Sequence, residues 1–242
     1  MMIEYRRIHD KDIYLKEDRY ERPKEVFKKV ADLVLESGVL KEGSIVCDIG
    51  CATGEFLHYL SRLFPKAKYY GYDVAPEFLE KAKQMVPNVT FLKGSVLDRE
   101  LLQPASSDVT FLLGVSAMFD DFKPCFLNVM HWTRPGGRLY ILSIFNPYPI
   151  DVWVTYRRTD SSDPNLRELG WNMVSIVSVS RWLDATLGPG KYTFIPWVMP
   201  FDLPPHPDDL VRTWTFLDDQ GQRLFTNGLS IIPHFYILEI RP

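Results

Sequence analysis

Cysteine is scarce: Cys47, Cys51 and Cys125 are the only three in a chain of 242 residues. An odd, small number builds no disulfide framework and suits a reducing compartment, so the cytoplasm is the expected location. Cys47 and Cys51 have no second cysteine pair and no His-x-His spacing beside them, so no metal site is expected. Long apolar runs are missing too. The chain opens Met-Met-Ile-Glu-Tyr-Arg-Arg and contains no uninterrupted stretch of about 18 apolar residues, which predicts neither a signal peptide nor a membrane span. Nor is there a basic excess. Lys and Arg number 28 against 31 Asp and Glu, a formal charge of −3, so duplex nucleic acid is not the expected partner. In the charged leader, Arg6, Arg7, Lys11 and Lys16 alternate with Glu4, Asp10, Asp12 and Glu17, the pattern of a solvated face.

What is present is an ordinary globular composition, 46% hydrophobic, 14% aromatic and 24% charged. Apolar residues recur at helical spacing over Pro23–Ser37, with Gly38 as the stop. From Ile45 to Ile49 the pattern becomes a short β-branched run closed by Gly50, as a buried parallel strand reads. Helices over 54–64, 76–85 and 122–133 then alternate with strands over 68–72, 89–92, 108–113 and 139–145, with Arg134-Pro135-Gly136-Gly137 as a turn. Helices between strands dictate right-handed crossovers and a doubly wound α/β sheet. Beyond Asn146 the regularity ends in a segment rich in proline and aromatics. There a helix is predicted over 178–187 and strands over 192–198, 211–216, 223–225 and 235–240, with Asp218–Gly221 as a hairpin turn. The expected division is a leader and helix over 1–41, a ligand-binding core over 42–146, and a sheet-completing, substrate-facing region over 147–242.

The chemistry is concentrated in Asp48-Ile49-Gly50-Cys51-Ala52-Thr53-Gly54-Glu55. A glycine-bearing loop between a buried strand and a helix lets backbone N–H groups approach a ligand closely. A dinucleotide fingerprint would need glycine at 50, 52 and 55, and only Gly50 satisfies it. Glu55 at the helix mouth would also repel a pyrophosphate. The stretch instead resembles motif I of the class I S-adenosylmethionine-dependent methyltransferases, an acid followed by small residues at alternate positions, here Asp48, Gly50, Ala52 and Gly54. That ligand carries an ammonium and no phosphate, so nearby acids are welcome. Ala52 departs from the commoner glycine by one methyl group.

Three further landmarks extend the resemblance over about Glu42 to Phe145. Asp73 closes the second strand about 20 residues after Gly50, the offset at which a carboxylate meets ribose hydroxyls. Lys93-Gly94-Ser95-Val96 is similar to the adenine-binding turn, with Ser95 where the family often has Asp. Leu113-Gly114-Val115 matches the segment that runs beneath the cofactor. The resemblance implies a mostly parallel seven-stranded sheet of methyltransferase type with an antiparallel C-terminal elaboration. It also implies S-adenosylmethionine as cofactor, with Asp48, Gly50, Cys51, Ala52, Gly54, Asp73, Val74, Ser95, Val96 and Gly114 at its site.

Methyl transfer from a sulfonium is an in-line displacement, so placing the acceptor does most of the work. A hydroxyl acceptor also gains from a general base, for which His206, His234 and Asp120 are the candidates, with Asp121 beside the last. His9, His58 and His131 read as scaffold. Trp153, Tyr156, Trp197 and Trp214 either wall an acceptor pocket or fill a core. Arg157, Arg158 and Arg212 are suited to an acidic group on the acceptor or to surface ion pairs. The segment 15–22 is positioned to act as a lid supplying Tyr14 or Tyr20. The expected function is methyl transfer to a small polar molecule, a sugar or glycan hydroxyl being the finer expectation. The alternatives are a non-catalytic sensor or assembly protein that binds the cofactor, and methylation of RNA or an amine.

Overall fold

The computed structural model describes residues 4–6, 11–207 and 209–242; Arg7, His9 and Asp10 lie outside the described residues. In chain order the elements begin with β1 (Glu4–Arg6), α1 (Lys11–Lys16), α2 (Glu25–Ser37), β2 (Ile45–Ile49), α3 (Glu55–Leu63), β3 (Lys68–Asp73), α4 (Pro76–Met85) and β4 (Thr90–Lys93). They continue with β5 (Ser107–Leu113), α5 (Lys123–Trp132), β6 (Thr133–Asn146), β7 (Thr155–Tyr156), β8 (Leu166–Leu169), β9 (Val174–Ser175) and α6 (Ile176–Leu187). The last are β10 (Tyr192–Trp197), β11 (Trp214–Leu217), β12 (Arg223–Thr226) and β13 (Phe235–Ile240).

The central sheet runs β10-β13-β6-β5-β2-β3-β4, with the two-residue β9 pairing on β6. Strands β4 to β6 along this path are parallel, and β13 is antiparallel to both of its neighbours, β6 and β10. Alternating side chains send Val46, Phe111, Tyr140 and Ile237 to a face covered by α2, α3 and α4. Cys47, Leu112, Ile141 and Leu238 go to the opposite face, under α5 and α6. The sheet is therefore buried on both faces, as its near-continuous apolar strands require. Strand order reverses at β2, with β3 and β4 on one side and β5 and β6 on the other. The loops after β2 and β5 part there and open a crevice at the carboxyl edge.

The predicted seven-strand, mostly parallel sheet with its antiparallel tail is the sheet observed. The Arg134–Gly137 turn is instead an excursion inside the continuous strand β6. Register jumps from Ser107 opposite Thr133 to Val109 opposite Arg138, and Gly136 adopts φ 80°. A Cβ on Gly137 would sit 2.6 Å from the Asp108 carbonyl, so backbone rather than side chain fills that corner. The hairpin at Asp218–Gly221 joins β11 to β12 as predicted, with the Asp218 N–H donating to Gln222 O. Strands β1, β7, β8 and β9 and helix α1 were not predicted. The strand pieces are two to four residues long, and β1 exists through parallel pairing with β8, far along the chain. Among the described residues no helix is long and apolar enough to cross a membrane.

Candidate functional site

The loop after β2 is built for close approach. Gly50 and Gly54 both take φ 79° and Ala52 takes φ 45°, so three positions of five lie in the left-handed region. The N–H groups of Gly50 and Cys51 both donate to Tyr72 O, at 2.7 and 3.0 Å, which ties the loop to the end of β3. A Cβ on Gly50 would collide with the Val115 side chain, and one on Gly54 would sit 2.6 Å from the Phe91 ring. Gly50 thus lets the loops after β2 and β5 meet, while Gly54 lets α3 pack on the sheet.

Asp73 ends β3 with its carboxylate held by backbone: Oδ2 accepts from Ala52 N–H at 2.8 Å and Oδ1 from Ala75 N–H at 2.9 Å. It is buried and still forms part of the crevice wall. Asp48 lies deeper, with Oδ1 lacking a hydrogen-bond partner. Burial, and then the charge of Asp73, push the Asp48 pKa up to about 8, so it holds its proton at neutral pH. Cys51 is buried behind the loop, its thiol raised well above the usual range chiefly by that burial.

At the strand-order reversal lies a cavity of about 230 Å³. Seven residues named from sequence line it: Gly50, Ala52, Asp73, Val74, Ser95, Val96 and Gly114. Asp48, Cys51 and Gly54 stand behind that wall, outside its lining. Ser95 Oγ accepts from Leu97 N–H at 3.2 Å, and Asn128 Nδ2 donates to Val96 O at 2.8 Å, which pins the turn. Phe78, Met118 and Phe119 complete the apolar walls and were not anticipated. Nothing in their local pattern distinguishes them from core residues.

A second cavity, of about 860 Å³, is walled by the leader, the start of α2 and the tail. Tyr14 lines both cavities and therefore stands between them. Of the residues proposed from sequence, His206, Tyr156, Trp197, Arg158 and Arg212 line the wider cavity. His234, Asp120, Trp153, Trp214 and Arg157 line neither. Asp120 Oδ1 accepts from Asn172 Nδ2 at 2.9 Å, and its carbonyl accepts from the Trp153 indole at 3.1 Å. Asp121, just ahead of α5, accepts through Oδ1 from Lys123 N–H at 3.0 Å. His234 is half-buried and its imidazole is held below its usual pKa by that burial. Arg212 pairs with Glu17 at 2.6 Å and Arg158 with Asp160 at 2.7 Å. Among the wall residues that escaped sequence reading are Lys24 and Glu168. No motif marks either one.

The leader is latched over this site. Lys81 Nζ on α4 donates to the carbonyls of Tyr14, Leu15 and Glu17 at 3.2, 2.9 and 2.7 Å. Tyr20 OH donates to Thr53 O at 2.7 Å, Arg19 N–H reaches Glu55 Oε1 at 3.1 Å, and the Tyr14 ring tilts against Phe78. Among the described residues no cluster of His, Cys, Asp or Glu is arranged to hold a metal ion.

An α/β sheet of this order with a glycine-cradled crevice at its reversal point defines a nucleoside-binding class of protein. The family described as a methyltransferase domain matches residues 40–170. The chain belongs to that family, among the class I S-adenosylmethionine-dependent methyltransferases, and S-adenosylmethionine is its cofactor. It is similar to the trans-aconitate 2-methyltransferase of Afipia carboxidovorans, 30% identical over 41% of this chain and 38% of that one. Malonyl-(acyl-carrier protein) O-methyltransferase 2 of Ilyobacter polytropus is 26% identical over 57% of this chain and 52% of its own. The alignments thus span between about two fifths and one half of these relatives' length. Among solved structures, the YcgJ protein of Bacillus subtilis shares the fold with a TM-score of 0.56 at 14% identity, covering 88% of this chain and 97% of that one.

Proposed function

We propose that this protein transfers a methyl group from S-adenosylmethionine to a small polar acceptor seated in the wider cavity, a sugar-like hydroxyl being the finer reading. The observation that carries it is the pair of cavities sharing Tyr14, one built on the Gly50–Ala52 loop and Asp73, the other on leader and tail. Gly50, Ala52, Val74, Ser95, Val96 and Gly114 form the cofactor wall, with Asp73 at the ribose hydroxyls. Asp48, Cys51 and Gly54 hold the loop from behind. When bound, the cofactor supplies an electrophilic methyl on a sulfonium. The chain's own residues then orient the acceptor and exclude water, which is where most of the rate of such a displacement originates.

Trp197, stacked on Phe225, and Tyr156 line the wider cavity, where aromatic rings suit a sugar ring. His206 on the same wall is the favoured general base, whereas His234 and Asp120 are remote from both cavities. Within the leader and helix of 1–41 the segment 15–22 acts as the lid, with 42–146 as the cofactor core and 147–242 as the acceptor-facing region. The names of these two curated relatives concern trans-aconitate and a malonyl group on an acyl-carrier protein, which supports an organic acceptor over RNA. Three unpaired, buried thiols suit a cytoplasmic setting.

Calorimetry with S-adenosylhomocysteine and NAD tests the first half. Binding of the former alone is expected, and Asp73→Ala should weaken it by about tenfold or more. No binding, or binding of NAD instead, overturns the reading. Methyl transfer to nucleotide sugars, small amines and RNA tests the second half, and transfer to RNA alone would refute the small acceptor.

A further inference from the structure

Two charged side chains on the wall of the wider cavity have no hydrogen-bond or ion-pair partner for their charged ends among the described residues. Lys24 Nζ makes no hydrogen bond or ion pair among the described residues, and lies 4.9 Å from the centroid of the Tyr14 ring and 5.5 Å from that of Phe27. Burial drives its pKa down, while Glu55 and Glu17 pull the other way. Glu168, on β8, is 4% exposed, and its Oε2 has no hydrogen-bond partner. Several other charged side chains of this wall are paired. Glu17 pairs with Arg212 and Arg19, Glu25 with Lys28 at 2.6 Å, and Arg158 with Asp160. Glu168 is buried and Lys24 half-buried, and unmatched charges in such places cost free energy that an occupant's own groups recover on binding.

The surroundings of Lys24 add to this. It stands at the N-terminus of α2, a helix of 13 residues with no side-chain cap, and Glu25 and Val26 of the first turn line the same cavity. Positive helix-end potential and an ammonium therefore coincide. Six basic and five acidic side chains line the cavity among the described residues, so its balance is met by a single negative charge rather than by a phosphate dianion. Tyr14, under the ammonium, also lines the cofactor cavity, which puts the anion's place beside the junction of the two.

We infer that the acceptor is a small hydroxy-carboxylic acid whose carboxylate pairs with Lys24 and whose hydroxyl donates to Glu168, which on this inference takes the general-base place otherwise given to His206. The inference rests on the wider cavity being the acceptor site, and makes Lys24 the residue that selects for acids. It is tested with the whole protein saturated with S-adenosylhomocysteine, by calorimetric titration of gluconate, glucuronate and 3-hydroxybutyrate, each against its uncharged amide. At least one acid is expected to bind about tenfold or more tighter than its amide, the size of one charge-assisted contact. Lys24→Met should abolish that preference by weakening the acid alone, Lys24→Arg should keep most of it, and Glu168→Gln should weaken acid and amide alike. Unchanged S-adenosylhomocysteine affinity and melting temperature certify that each variant folds. Equal binding of acid and amide, no binding of any acid, or a preference that survives Lys24→Met overturns the inference. Failure of S-adenosylhomocysteine itself to bind the wild type instead strikes the cofactor reading on which it rests.

Discussion

Ala52 shows how one methyl group reports on a site. It takes φ 45°, a conformation that costs an L residue about 1 kcal/mol, and it lines the narrower cavity where glycine would leave more room. Ala52→Gly should therefore relieve strain, raising stability by at most about 1 kcal/mol after the unfolded-state entropy of glycine is subtracted, without weakening S-adenosylhomocysteine binding. Denaturant melts and calorimetry read both. Asp48 offers a pH signature. Its folded pKa of about 8 lies above the ordinary carboxylate value, so its stabilising preference for the proton is complete below that ordinary value and is lost as pH rises through about 8. Asp48→Asn stays neutral throughout. The melting temperature of the variant relative to wild type should rise between about pH 5 and pH 8 and level off above, whereas a pH-independent difference would show that Asp48 is ionised in the fold. At this scale the glycine-bearing loop after β2 was legible because its residues are neighbours in sequence. Glu168 was not, because its burial depends on β8 meeting a distant leader strand.

Among elements, the leader is the one whose order depends most on a single contact. Helix α1 has six residues, too few to persist alone, and its last carbonyls are capped by Lys81 from α4. Lys81→Met should remove about 1–2 kcal/mol of local stability, appearing as faster hydrogen exchange and proteolysis around residues 13–24. The global melting transition should shift far less, because the sheet and its two cores do not involve α1. Tyr14 lines both cavities, so the same variant should also bind S-adenosylhomocysteine more weakly. The long helices α2 to α5 and the strands β2 to β5 were legible from apolar period, since each buries a full face. The short strands of the tail were not. Two to four residues carry no readable alternation, and their pairing comes from partners outside the local sequence.

For the whole molecule the decisive strand is β13. It fits between β6 and β10 and buries Ile237, Leu238 and Ile240 completely. Three such side chains are worth roughly 5–9 kcal/mol of burial, comparable with a domain's entire stability of about 5–15 kcal/mol. A chain ending at His234 should therefore fail to fold cooperatively, as circular dichroism and thermal melts would show, and residues 42–146 alone should fare no better because β6 would expose an apolar edge. The local order of residues determined the doubly wound core, its cofactor loop and the acid at the end of β3, because period, turn chemistry and strand-end position are properties of neighbours along the chain. Only the tertiary structure decided which tail residues face the wider cavity, that His206 belongs to it while His234 does not, and that Lys24 meets it without a hydrogen bond or ion pair among the described residues. Those outcomes depend on leader, β8 and the segment around Arg212 converging from opposite ends of the chain, and burial created by such convergence leaves no periodic trace in the sequence.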